Sequence, residues 1–275
     1  MDIVIVIDAN DPVSTQVCDC MLEGNIFAKA SMTFKDAPVY SYRNAYMITN
    51  NQRSAEAEQV DEDIRSLLSI KPELTIFPTV HRSRSGIPSL TAHTQGNWAI
   101  AEMGGLNKRL GISAENFLKE ALQTMAQKQP NYPSLDGFDV IQEATHHGPY
   151  VSCPSMFIEV GSTEKEWHNK EAVHLLAETI TYLIENSNSI ADQQYETAVG
   201  IGGPHANRNF RKIILNDEQI AISHICPKYM LENLDLGMLT HAMERSTQPA
   251  SKVILDWKGI GPEKQRIVEL LEENN

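Results

Sequence analysis

Five strand-like runs of this chain lead to a histidine, and histidine near neutral pH can both accept and donate a proton. Phe138-Asp139-Val140-Ile141 opens into Thr145-His146-His147-Gly148-Pro149, and Phe77-Pro78-Thr79-Val80 runs into His81. Leu90-Thr91-Ala92 ends on His93, the run from Val199 to Pro204 on His205, and Ile220-Ala221-Ile222-Ser223 on His224. Open α/β sheets build their sites at the carboxyl ends of strands, so His81, His93, His146, His147 and His224 are candidate acid–base groups for hydrolysis. Glu159, on the strand-like run after the histidine pair, adds a carboxylate. His146, His147 and Glu159 together could equally hold zinc, with a water in the open position. Loop capping remains open for each histidine taken singly. Strand alternation predicts that only one of the adjacent pair faces the pocket. His168, His174 and His241 lie in helical patterns and are assigned to packing or surface.

Around these histidines stand groups suited to a polar, anionic substrate. Arg82 and Arg84 flank one candidate loop, Arg208, Arg211 and Lys212 follow another, and Lys228 follows a third. Asn97 and Ser85 offer amide and hydroxyl contacts, and the backbone N–H groups near Gly202-Gly203 are placed to stabilise an oxyanion. Gly200-Ile201-Gly202-Gly203-Pro204-His205 fails as a dinucleotide fingerprint, because its third glycine position is His205 and Pro204 lacks an N–H. No G-x-x-x-x-G-K-[ST], G-x-S-x-G or H-E-x-x-H pattern occurs, which disfavours nucleotide-driven motors, ordinary α/β-hydrolases and helix-borne zincins. A net charge of −13 argues against general affinity for polyphosphate but leaves room for a local basic face. Cys18, Cys20, Cys153 and Cys226 show no C-x-x-C spacing and read as reduced, buried thiols, with Cys226 the one placed near a candidate histidine.

The elements that must position these groups follow from periodicity. Strands are expected at Met1–Asp8, Ala45–Thr49, Leu74–His81, Leu90–His93, Phe138–Ile141, Met156–Val160, Thr197–Gly203, Ile220–Ile225 and Val253–Trp257. Helices are expected from Asp11-Pro12, over 55–70 with Val60, Ile64, Leu67 and Leu68 inward, and over 113–128. A capping box at Thr163 and Glu166 starts the longest helix. Further helices are expected near 210–215 and 234–245, and from Gly261-Pro262-Glu263 to the end. Strands alternating with crossover-length helices imply an α/β fold with a mixed, mainly parallel sheet flanked by helices. No repeat or linker divides the chain, so residues 1–275 are expected to form a single domain. No apolar run reaches the ~20 residues of a membrane span, and the acidic start lacks a signal peptide's basic flank, so a cytoplasmic, membrane-free protein is expected.

Several ordered motifs resemble one family. His81-Arg82-Ser83-Arg84-Ser85-Gly86-Ile87-Pro88-Ser89-Leu90-Thr91-Ala92-His93, Gly96-Asn97, Thr145-His146-His147-Gly148-Pro149 and Glu159-Val160-Gly161-Ser162-Thr163-Glu164 are the first four. His224-Ile225-Cys226-Pro227-Lys228-Tyr229 and Asp256-Trp257-Lys258-Gly259 complete the set. Together, over essentially the whole chain, they resemble the archaeal and plant type of D-aminoacyl-tRNA deacylase. That resemblance implies a phosphorylase/hydrolase-like α/β fold, shared with peptidyl-tRNA hydrolases. It also implies hydrolysis of the ester joining a D-amino acid to the tRNA 3′ end, with zinc as cofactor. Arg82, Arg84, Arg208 and Lys228 would then meet phosphates of the acceptor end, with Asn97, Gly202, Gly203 and His205 also on the substrate. The chain departs from the family's G-G-G-H-Y pattern at Gly203-Pro204-His205-Ala206, where a glycine and an aromatic are replaced.

Two alternatives stand beside this reading. One is a zinc-dependent amidase or peptidase on the same fold, the other a non-catalytic tRNA-end binding protein. A monomer is expected, and His224→Ala is expected to lower turnover more than stability.

Overall fold

All six residues of the run Ile3–Asp8 are buried, as a central strand covered on both faces requires. In the computed structural model, which describes residues 1–272, this run is β1. After it come α1 (Pro12–Glu23), a hairpin of β2 (Ala28–Phe34) and β3 (Ala37–Tyr42), β4 (Ala45–Asn50), α2 (Val60–Leu68), β5 (Leu74–Val80) and β6 (Ser89–His93). Three two-residue strands follow, β7 (Gly96–Asn97), β8 (Arg109–Leu110) and β9 (Ile112–Ser113). Then come α3 (Glu115–Lys128), β10 (Asp139–Gln142), β11 (Pro154–Gly161), α4 (Glu164–Trp167), α5 (Lys170–Glu185) and α6 (Ser187–Ala191). The last third carries β12 (Glu196–Ile201), α7 (Arg208–Asn216), β13 (Ile220–Cys226), α8 (Leu236–Glu244), β14 (Lys252–Leu255) and α9 (Lys264–Glu272).

The main sheet runs β10-β6-β11-β5-β1-β4-β3-β2, with β9 beside β11. Pairing is parallel from β11 through β5 and β1 to β4, and antiparallel at β6–β11 and in the β2–β3–β4 hairpins. The fold is therefore α/β with a mixed, mainly parallel sheet flanked by helices. Ile3, Ile5 and Ile7 face α1, α3 and α5, while Val4 and Val6 face α2 together with Phe34, Val39 and Ile48. In α5, Val173, Leu176, Ile180, Leu183 and Ile184 are buried, each stabilising by about 1.5–3 kcal/mol relative to exposure. Register also sets chemistry. Glu159 of β11 lies opposite Thr79 on β5 and opposite Thr91 on β6, and Phe157 lies opposite His93.

Four expectations need correction. The strands of the last third form a separate parallel sheet, β13-β12-β14, with its own apolar cluster under α8 and α9. The β2–β3 hairpin was not anticipated, because its turn is Lys35-Asp36 rather than a glycine pair, although both residues take positive φ as a tight hairpin turn demands. The expected helix over 55–70 is a short 3₁₀ turn at Ser54–Glu56 followed by α2, and Leu67 is 54% exposed rather than inward. The capping box at Thr163 forms, but its helix stops at His168, and Asn169 caps a second one. No helix among the described residues is long and apolar enough to cross a membrane.

Candidate active site

Five histidines and two carboxylates converge beside the middle of β11, reached from the end of β5, from the oppositely directed ends of β6 and β10, and from the loop after β12. Glu159 Oε1 accepts from Thr79 Oγ1 at 2.8 Å and Oε2 from Thr91 Oγ1 at 3.3 Å, so the strand register fixes this buried carboxylate. His93 Nε2 lies 3.6 Å from Glu159 Oε1, and His81 Nδ1 lies 3.5 Å from Oε2. Gly161 makes the second approach possible, since a Cβ there would lie 2.6 Å from the His81 side chain. Phe157 stacks beneath His93 with centroids 5.2 Å apart and meets His147 edge-on at 4.7 Å.

Glu143 is the second carboxylate, one residue past β10. Its Oε2 lies 3.2 Å from His205 Nε2 and 3.9 Å from His146 Nε2, and its Oε1 lies 2.8 Å from His81 Nδ1. The last contact is an ion pair without an aligned N–H, so Oε1 is left with no hydrogen-bond donor among the described residues. His205 Nδ1 lies 2.9 Å from the Tyr229 hydroxyl.

Burial and charge divide these groups into two sets. Burial alone would lower the His81 pKa, but Glu143 and Glu159 outweigh it and hold it up at about 10. His93 is likewise raised against burial, chiefly by Glu159. Burial would raise both carboxylates, yet the imidazoles hold them low: His205 and His81 for Glu143, His81 and His93 for Glu159. His146 is pushed well below its ordinary value by burial and then by His93, His147 and His205. His147 falls to about 4, again by burial first and His93 second. At neutral pH the site thus pairs charged His81 with carboxylates and keeps His146 and His147 neutral.

Those two neutral rings have the tautomer a metal site needs. His146 Nδ1 donates to Ala144 O at 2.8 Å and His147 Nδ1 to Gly148 O at 2.5 Å, which leaves each Nε2 as the lone-pair nitrogen. His93 Nδ1 meets Thr94 O at 3.2 Å, and its buried Nε2 has no hydrogen-bond partner among the described residues. One ligand atom from each of His93, His146 and His147 lies within 4.8 Å of the others, a group able to hold a metal ion. The same holds for Glu143, His146 and His205, and for His81, Glu143 and Glu159.

Several sequence expectations are met differently. Both His146 and His147 line the cleft, because His147 takes φ +44° and leaves the alternation of a strand. Glu159 stands in the His81–Glu143 group, and His93 takes its place beside His146 and His147. His224 is fully buried away from the cleft, with Nε2 on Arg245 O at 2.7 Å and Nδ1 on Thr145 Oγ1 at 3.2 Å. The Gly202 and Gly203 N–H groups bond to Cys226 O and Gly259 O, so they are spent in holding the end of β12 to β13 and to the 256–259 turn and are not free for an oxyanion. Asn97 Nδ2 holds Gly104 O at 3.0 Å, bracing the 98–107 loop that walls the cleft. Arg82 lies on the cleft with its guanidinium 4.5 Å over the Trp167 ring, whereas Arg84 is exposed on the 82–88 loop. Arg208 pairs with Asp139 at 2.6 Å, and the exposed Lys228 lies over Gly261.

Sequence reasoning gave no site role to Glu143, Phe157 or Tyr229, although Tyr229 stood within one of the family motifs. The signal for Glu143 was present, since an acid directly after a strand and three residues before His146 sits where a site is built.

Comparison with known proteins bears on this cleft. A family profile described as D-aminoacyl-tRNA deacylase matches residues 68–275. A D-aminoacyl-tRNA deacylase of Pyrococcus furiosus is 34% identical over 265 residues, covering 96% of this chain and 94% of the relative. One of Thermococcus onnurineus is 33% identical over 272 residues, covering 98% and 96%. The crystal structure of a conserved protein of unknown function superposes with a TM-score of 0.85 at 26% identity, covering 99% of this chain and 92% of that one.

Proposed function

This chain belongs to the D-aminoacyl-tRNA deacylase family, a hydrolase of aminoacyl-tRNA esters, and we propose that its histidine cleft releases a D-amino acid from the 3′-terminal ribose of tRNA. The observation that carries this is the convergence of His93, His146 and His147 with His81, Glu143, Glu159 and His205 on one cleft. An aminoacyl ester is already activated, so a positioned water and a stabilised carbonyl oxygen suffice without a covalent nucleophile.

His93, His146 and His147 fit zinc: all three are nitrogen donors, each with Nδ1 engaged by a backbone carbonyl, and one has an orphaned buried Nε2. Bound there, zinc would supply Lewis acidity for the ester carbonyl and acidity for a coordinated water. Glu159 orients His93, and the charge that holds a proton on that ring also favours a cation beside it. His81 stays protonated through the neutral range and is a fixed positive charge for the developing oxyanion. Burial lifts the Tyr229 hydroxyl to about 12, so it keeps its proton, and it holds the His205 ring from Nδ1 at 2.9 Å while Nε2 lies 3.2 Å from Glu143 Oε2. Arg82 at the rim meets a phosphate of the acceptor end. The chain acts as a single-domain monomer in this scheme.

Incubation with D-tyrosyl-tRNA and L-tyrosyl-tRNA, with zinc supplied, tests the reading. Release of D-tyrosine with the L-ester left intact is expected; inertness toward both overturns it.

A further inference from the structure

Behind the wall made by His81, Glu143 and His205 lies a second chamber of ≈ 250 Å³, and we propose that it receives the side chain of the aminoacyl group. The assignment rests on the deacylase reading above and adds where substrate range is set. Ile87 and Ile141 give the chamber apolar walls, the exposed Pro204 and Ala206 line its solvent side, and the ion-paired Asp139 and Arg208 border it. An apolar cavity of about 150 Å³ admits a benzene ring, so this one has room for an aromatic side chain.

A second, independent feature points to a ligand. Ser89 is only 6% exposed, lines the chamber, and its Oγ has no hydrogen-bond partner among the described residues. Glu143 stands on the shared wall as well, with Oε1 2.8 Å from His81 Nδ1. A buried polar atom left unpaired is costly, so Ser89 Oγ on this chamber favours a ligand with a polar atom of its own. A side chain with a hydroxyl or amide tip satisfies Ser89, and the ammonium of the aminoacyl group is a donor suited to Glu143.

Chain continuity separates this chamber from the wider cleft. A second hollow of ≈ 500 Å³ runs past Trp98, His146 and Tyr229 on the far side of His205. The terminal nucleotide remains joined to the rest of the tRNA, so its site must open outward, whereas the amino-acid side chain is a dead end and fits the smaller chamber. His205 borders both spaces, with its ring centroid 4.3 Å from that of His146.

The test fills the chamber from two walls. Ala206 is exposed and Ile87 is 43% exposed, so Ala206→Trp and Ile87→Trp narrow the space without disturbing the core. Each variant, with folding checked by its thermal midpoint, is assayed on D-tyrosyl-tRNA and D-alanyl-tRNA. In each folded variant the kcat/KM ratio of the tyrosyl to the alanyl ester is expected to fall about tenfold or more relative to the parent. A smaller fall, or none, in a folded variant of an active parent overturns the chamber assignment alone, as it would if the terminal adenosine bound there. A parent inert toward both esters overturns the functional reading and the chamber with it.

Discussion

Glu143 shows how much a single residue can organise: one buried carboxylate contacts His81 and His205 and lies 3.9 Å from His146. His146 and His224 looked alike in the sequence, each at the end of an apolar run, yet their surroundings give them different work. His146 is neutral, half-buried and convergent with two other rings, so His146→Ala is expected to lower kcat/KM on D-tyrosyl-tRNA by roughly a hundredfold or more. His224 spends both ring nitrogens on Arg245 O and Thr145 Oγ1 inside the protein. His224→Ala is therefore expected to cost about 1–3 kcal/mol of stability in urea titration, with turnover per folded molecule preserved. This reverses the expectation drawn from sequence. Native stability with lost turnover in that variant would return His224 to the chemistry.

At the scale of elements, Asp11 ties a helix to a strand. Its Oδ1 caps α1 by accepting from the N–H groups of Val13 and Ser14, and its Oδ2 accepts from Val80 N at 3.0 Å, at the end of β5. Burial, opposed by these hydrogen bonds, raises its pKa from 3.8 to about 6. The folded state then binds the proton more tightly than the unfolded one. The contribution is fully present below about pH 4 and is lost as pH rises through about 6, a change of roughly 3 kcal/mol at most. Asp11→Asn removes the titration and adds only a pH-independent offset for the lost Val80 contact. The stability of the variant relative to the parent is expected to improve between pH 4 and pH 6.5 and then level off; a difference that stays flat across that range refutes the assignment. The same interval of chain shows why some elements were legible and others not. α1 carries its own start signal in Asp11-Pro12, whereas the β2–β3 hairpin has an irregular register and an exposed outer edge.

For the whole molecule, the question is how a chain of net charge −13 holds a polyanion. Arg82 and Arg53 border the cleft beside the histidines, so the attraction is local. Binding of deacylated tRNA is expected to weaken with salt, and Arg82→Ala is expected to reduce the slope of log K against log salt by about one. An unchanged slope would place the phosphates elsewhere.

Periodicity and end signals in the sequence determined the α/β class, most helix starts and the strands that carry His81, His93 and Glu159, because those depend on neighbours along the chain. Motif order was enough to bring out the family resemblance. Tertiary structure decided the rest. Only the register of β5, β6 and β11 sets Thr79 and Thr91 around Glu159, and only the positive φ at His147 turns both adjacent histidines into one cleft. The split of the last three strands into their own sheet likewise sends His224 inward while the loop after β12 carries His205 to the cleft. Convergence of residues as distant as His81, Glu143 and His205 is a property of packing, and linear spacing does not encode it.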